Sequence, residues 1–177
     1  MHLRNILTTI CLLGVFVLAG CLVSGTFILW ESITLNAVSA TFYRGSVNLE
    51  DNEDWQDHNE DIDRVETVGF EVWMTNNSSN EIILNGYIDD PRTPLYDEGE
   101  VVANTFQIID SLPVPGNTSN ERIVTYVESF DYIDNVADLK RLVKSGMFDY
   151  YGILSGTGVS GAIDSIKVVV TLNASDT

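Results

Sequence analysis

The apolar positions of this chain follow three patterns, and each predicts a different kind of element. The first is a stretch free of charge between Arg4 and Glu31, most apolar from Ile6 to Leu18. The second is alternation with a period of two, the mark of half-buried strands. The third is recurrence every three to four residues, the mark of a helix with one apolar face.

Alternation dominates beyond the first stretch. Phe27, Leu29, Ile33 and Leu35 share one side of a predicted strand, with Ile28, Trp30 and Thr34 on the other. A second strand spans Val38 to Leu49, and its alternation changes face near Arg44-Gly45, which predicts a β-bulge. The clearest strand sets Val68, Phe70, Val72 and Met74 against Gly69, Glu71, Trp73 and Thr75. The polar run 76–80 and the alternation of Ile82, Leu84 and Ile88 turn this into a predicted hairpin. A loop with Pro91 and Pro94 follows over 89–100. Further strands are expected near Val101–Ile109, Ile123–Ser129, Phe148–Leu154 and Ile163–Leu172. The turn at 113–117 and the Gly/Ser-rich run 155–161 separate them.

Helical spacing occurs twice. Trp55, His58, Ile62 and Val65 predict a short helix within 50–66, capped by Asp51 or Asn52 and ending near Arg64. Ile133, Val136, Leu139, Leu142 and Val143 predict a second, capped by Asp134 or Asn135 and stopped by Gly146. The expected fold is mainly β. It is an antiparallel β-sandwich of roughly seven to nine strands with two short peripheral helices, and a β-barrel is the alternative.

The charge-free stretch has the layout of an export signal. His2 and Arg4 precede an apolar core, and small residues close it. Its last residues, Leu18-Ala19-Gly20-Cys21, resemble the lipobox of a bacterial lipoprotein signal. The resemblance covers about the first 21 residues. It implies that Leu18, Ala19 and Gly20 are read by the lipoprotein peptidase and that Cys21 becomes the lipidated first residue. Residues 1–20 are then the signal, 21–25 the lipidated cysteine and a short tether, and 26–177 a single acidic domain. An uncleaved anchor is the competing reading, since the charge-free stretch between Arg4 and Glu31 is long enough for the roughly 20 residues a span needs, although Gly14, Gly20, Ser24 and Gly25 weaken it. Either way the domain lies outside the cytoplasm, in the lipoprotein case held to the cell membrane or outer membrane by acyl chains.

Composition narrows this further. The other cysteine, Cys11, falls in the signal, so no disulfide is expected in the mature domain. The formal net charge of −17 argues against nucleic acid, whose binders need a basic face. It also argues against electrostatic attachment to anionic lipid, which leaves Cys21 as the membrane contact.

Candidate chemistry is sparse. Asp57-His58-Asn59-Glu60-Asp61-Ile62-Asp63 alternates oxygen side chains as a calcium loop does. Ile62 and Val68 occupy the positions where an EF-hand needs glycine and glutamate. Asp54, Asp57, Asn59, Asp61 and Asp63 are the candidate calcium ligands, and a solvated acidic face is the plainer reading. His58 is the only histidine after Cys21, which leaves little room for a catalytic triad, and no nucleophile-elbow motif is present. Trp30, Trp73, Tyr87 and Tyr150 are candidate ligand-binding aromatics if exposed, and core if buried. The expected function is therefore a lipid-anchored, non-enzymatic envelope protein that binds a partner protein or has a structural role. A calcium-dependent or glycan-binding module is the alternative, and a small hydrolase a third. Beyond the signal, the domain resembles small β-sandwich lipoproteins of bacterial envelopes, on the run Val68-Gly69-Phe70-Glu71-Val72-Trp73, and the resemblance implies no activity.

Overall fold

The computed structural model describes residues 24–33, 35–58, 62–91 and 94–175. Its strands are β1 Ser24–Ile33, β2 Asn36–Ala37, β3 Phe42–Asn48, β4 Ile62–Asn76, β5 Ile82–Asp89, β6 Phe106–Val114, β7 Thr118–Val124, β8 Met147–Ser155 and β9 Gly161–Ser175. The helices are α1 Glu53–His58, α2 Glu98–Asn104, α3 Tyr126–Ser129 and α4 Val136–Ser145, with a 3-10 turn over Leu49–Asp51.

The strands form two antiparallel sheets. Sheet 1 has the order β1-β9-β4-β7, and sheet 2 has the order β2-β3-β8-β5-β6. Among the described residues neither sheet closes on itself, so the molecule is a sandwich and not a barrel. Apart from the short β2–β3 link, only the β5–β6 connection stays within one sheet. With β2 taken as an addition to one edge, this order is that of a jelly roll, a double sheet made from two Greek keys.

The inner faces follow from the alternation. Val68, Phe70, Val72 and Met74 of β4 are all buried. Ile163, Ile166, Val168, Val170 and Leu172 of β9 meet them. A register shift between Trp73 and Met74 lets Ile163 and Ile166 both point inward although their positions differ by an odd number. Sheet 2 contributes Tyr43, Val47, Ile82, Leu84, Ile88, Phe148, Tyr150 and Leu154. Gly86 and Gly152 lie opposite each other on β5 and β8. A Cβ on Gly152 would come within 2.5 Å of Ile163 Cδ1, so the sheets approach closely here only because no side chain intervenes.

Several elements differ from the alternation alone. The expected bulge at Arg44-Gly45 is absent, since β3 pairs in unbroken register with β8 from Phe42 to Asn48. Its apparent change of face arises at the start of the strand, where Phe42 and Tyr43 are both buried on opposite faces, whereas Ser46 and Asn48 on the outer face are exposed. Tyr43 and Val47 face the inner core, while Phe42 joins Tyr87, Val101, Tyr151 and Ile153 in a second cluster on the outer face. The expected hairpin over 68–88 is not one, because β4 and β5 belong to different sheets.

The acidic helix stops at His58, and Ile62 and Val65 belong to β4. Asn52 caps α1 as expected, accepting the Trp55 N–H at 3.2 Å, and Trp55 is buried. Residues 98–104, read as loop and strand, form α2. Asp97 caps it by accepting the Glu100 N–H at 3.0 Å, and Val101 anchors it into the second cluster. The strand expected at 123–129 lies earlier, as β7, and a capping box of Thr125 and Glu128 starts α3. Edge position hid β7, most of whose residues are exposed. Edge position also explains Pro113 within β6. Helix α4 forms where expected, with Leu139, Leu142 and Val143 buried and Gly146 ending it at φ 81°. Val136 is exposed, however, and Asn135 at its start makes no capping hydrogen bond, its amide donating to Gln107 O instead.

Asn76 organises one end of the sandwich. It is fully buried at the last position of β4. Its Oδ1 accepts from Ser78 N at 3.0 Å and Ser78 Oγ at 2.8 Å. Its Nδ2 donates to the carbonyls of Asn80, Val114 and Pro115 at 2.9–3.2 Å. Thr118 Oγ1 accepts the Asn76 N–H. One amide thus ties the β4–β5 crossing to the β6–β7 crossing. Asn77 N donates to Ser160 O at 2.7 Å, which brings in the β8–β9 crossing as well.

Two predictions follow from these buried polar groups. Asn76→Ala strands three carbonyls and the Ser78 donors, so a loss of about 2–4 kcal/mol is expected by denaturant unfolding. Asn76→Asp offers acceptors to those same carbonyls and should be at least as damaging; near-wild-type stability of both would show that the corner holds without the amide. Tyr150 is the opposite case. Its hydroxyl is buried over Gly86 and Ile109 with no hydrogen-bond partner. Burial pushes its pKa up strongly. The adjoining cavity is only about 10 Å³ and lined by apolar residues such as Val68, Phe70, Leu139 and Ile166. Tyr150→Phe should therefore leave the melting temperature unchanged or raise it; a fall of more than a few degrees would contradict the unpaired hydroxyl.

Candidate functional site

The outer face of sheet 2 carries the richest polar arrangement of the described residues. On β3, β8 and β5 the register places Ser46, Asp149 and Asp89 in one row, and Arg44, Tyr151 and Tyr87 in the next. These residues share a face because side chains alternate along each strand. Residues 94–105, including α2, pack over part of this face through Val101 and Leu95. They leave the β2–β3 side open.

The covered part is unusual. Asp89 and Asp149 are directly opposite each other on neighbouring strands, at positions whose Cβ atoms lie about 4.5–5.5 Å apart in such pairs. Both are buried, Asp149 with 6% of its surface exposed. Asp149 Oδ1 accepts from Ser46 Oγ at 2.6 Å, and Asp89 Oδ1 accepts from Asp90 N at 2.9 Å. Tyr151 stands beside them, stacked with Phe42 at 6.2 Å between centroids. Burial raises the Tyr151 hydroxyl above its ordinary pKa; the Leu95 N–H it accepts and the nearby Arg44 oppose this, and the carboxylates of Asp149 and Asp89 add to it.

The open part is a groove of about 480 Å³ lined by Asn36, Ala37, Val38, Arg44, Gly45, Ser46 and Tyr96. The Arg44 guanidinium lies 4.7 Å from the centroid of the Tyr96 ring. Tyr96 is 65% exposed. Its segment is held from behind: Asp97 caps α2, and Glu98 Oε1 accepts from Thr41 Oγ1 at 2.7 Å, tying the helix to the turn before β3.

The structure separates the aromatics that the sequence singles out. Tyr150 is in the inner core at 2% exposure, and Tyr87 is buried under α2, so neither can stack on a ligand at the surface. Burial, with a smaller contribution from the Asp110 charge, raises the Tyr87 hydroxyl. Trp73 is half-buried on the outer face of sheet 1, opposite Arg122 and Ser165. Trp30 lies on β1, and its side chain is outside the described residues. The four therefore do not converge. Tyr96 was missed because it stands in a loop between prolines and an acidic run, where no periodicity marks a face.

The candidate calcium ligands also divide. Asp54 and Asp57 stand on α1 and Asp63 on β4, so no single helical stripe carries them. Their side chains, and Asn59 and Asp61 altogether, lie outside the described residues, as do Leu18, Ala19, Gly20 and Cys21. Among the described residues no three metal-ligating side chains gather into a set.

No family model matches the sequence, and no curated protein sequence matches it. Among solved structures, a chain from Desmodium yellow mottle tymovirus is similar at 10% identity and a TM-score of 0.32, over 87% of this chain and 90% of that one.

Proposed function

We propose that this chain is an exported, lipid-anchored sandwich with a non-enzymatic binding role at the cell envelope. The observation that carries the reading is a juxtaposition. Cys21 of the Leu18-Ala19-Gly20-Cys21 run stands three residues before Ser24, where β1 already pairs with Ser175. The tether expected over 21–25 thus shrinks, because Ser24 and Gly25 are strand. Acyl chains on Cys21 would hold the domain directly against the bilayer, with two or more chains needed for stable attachment.

The topology gives this arrangement a direction. Ser24 and Ile62 lie at one end of sheet 1, since both pair near the end of β9. Asn76 lies at the other end of β4, roughly 45 Å away at about 3.3 Å per residue. The three crossings gathered around Asn76 would then point away from the membrane. Among the described residues no helix is long and apolar enough to cross a bilayer. The net charge of −17 supports a partner other than nucleic acid. The non-enzymatic part of the reading rests on the single histidine after Cys21 and the missing nucleophile motif.

Cys21→Ser should abolish incorporation of labelled fatty acid and move the protein from the membrane pellet to the soluble fraction. A Cys21→Ser protein that stays in the pellet and still takes up label would sink the assignment.

A further inference from the structure

We infer that the groove beside β2 and β3 binds a carboxylated saccharide, with Arg44 taking the carboxylate and Tyr96 the sugar ring; this deepens, and rests on, the reading of the chain as a binding domain. Arginine pairing is the first argument. Arg122 pairs with Glu71 at 3.2 Å, and Arg141 pairs with Asp90 at 2.9 Å and Asp138 at 3.5 Å. Of the arginines whose side chains are described, Arg44 alone makes neither a hydrogen bond nor an ion pair. Acidic partners are not scarce in a chain with 26 Asp and Glu against 9 Lys and Arg. Arg44 instead lies on Tyr96 with its donors unused, on a half-buried stretch of sheet that lines a groove.

Stacking of this kind fixes a guanidinium in place while leaving its edge free. That edge matches the two oxygens of a carboxylate in a paired, fork-to-fork geometry. A phosphate has similar oxygens but carries more charge. Asp149 lies behind Ser46 and the whole chain is strongly acidic, so one arginine suits a singly charged group better than a doubly charged one.

The rest of the groove has the chemistry of a sugar site. Arg44 covers one face of Tyr96, and the ring remains largely exposed, so its remaining surface can receive the apolar face of a pyranose. Asn36 is exposed and has both donors and acceptors. Ser46 donates its proton to Asp149, which leaves its oxygen to accept from a ligand hydroxyl. The volume of about 480 Å³ is within the usual range for small-ligand pockets. Thr41 and Glu98 act as positioning residues, because their hydrogen bond holds the Tyr96 segment beside β3.

The test is calorimetric titration of the full-length protein in detergent with oligomers of galacturonic and glucuronic acid. Neutral galactose and glucose oligomers and inorganic phosphate are titrated in parallel. At least one acidic oligomer should bind, with the neutral oligomers and phosphate much weaker. Arg44→Gln and Tyr96→Ala should each weaken binding about tenfold or more, without lowering the melting temperature. The inference is overturned if neither acidic oligomer binds, if neutral sugars or phosphate bind as well, or if both variants bind like the wild type. Each such result leaves the Cys21 fractionation untouched, so failure of the groove and failure of the anchored-domain reading are told apart.

Discussion

Asn76 sits where a jelly roll is hardest to build. Each time the chain passes from one sheet to the other, its backbone leaves a ladder and loses ladder partners for its polar groups. Buried amides and carbonyls left in that state are costly. Asn76 meets the problem with a single side chain, whose oxygen serves the β4–β5 turn and whose nitrogen serves that turn and the end of β6. Gly116 completes the contact, since a Cβ there would come within 2.6 Å of the Ser79 backbone. With this corner fixed, the register of β4 is fixed too, and so is the face of Val68, Phe70, Val72 and Met74. A slip of one residue would turn that row to solvent.

The two sheets are not equivalent above this common corner. Sheet 2 is covered on part of its outer face by residues 94–105, which is why β8 is buried from Phe148 to Leu154. Full burial on both sides permits tyrosines and carboxylates on the same strand. It also creates the opposed pair Asp89 and Asp149, of which one oxygen each, Oδ1, accepts locally from Asp90 N and Ser46 Oγ. Where the cover stops, at the β2–β3 edge, Arg44 and Tyr96 meet at a groove. The groove thus follows from the length of the cover, which reaches across β8 and leaves the edge strand open.

The strong negative charge fits this division. Acidic residues of the 3-10 turn and of α1, such as Glu50, Asp51 and Glu53, are exposed. Elsewhere carboxylates cap helices: Asp97 accepts from Glu100 at α2, and Glu128 accepts from Thr125 at α3. The hydrogen bonds from Thr125 hold the Glu128 carboxyl below its ordinary pKa. Much of the acidity therefore sits on the surface, and the core depends on apolar alternation and on the polar corner at Asn76.

The sequence by itself determined the mainly β class, the inner row of β4, the Gly146 stop of α4, and the role of Asn52 at α1. Each of these is written in local periodicity or in a side chain that serves its own backbone, so neighbours in the chain suffice to reveal it. The tertiary structure alone decided which strands share a sheet. A turn at 77–81 reads the same whether it closes a hairpin or crosses a sandwich, because the difference lies in the partner strands β8 and β9, far along the chain. It likewise decided the fate of β3, where burial of both Phe42 and Tyr43 at the start of the strand imitates a change of face, and of β7, whose edge position removes its alternation. The groove was illegible for the same reason. Arg44 and Tyr96 are far apart in sequence, and only the passage of residues 94–105 over sheet 2 brings the ring onto the guanidinium.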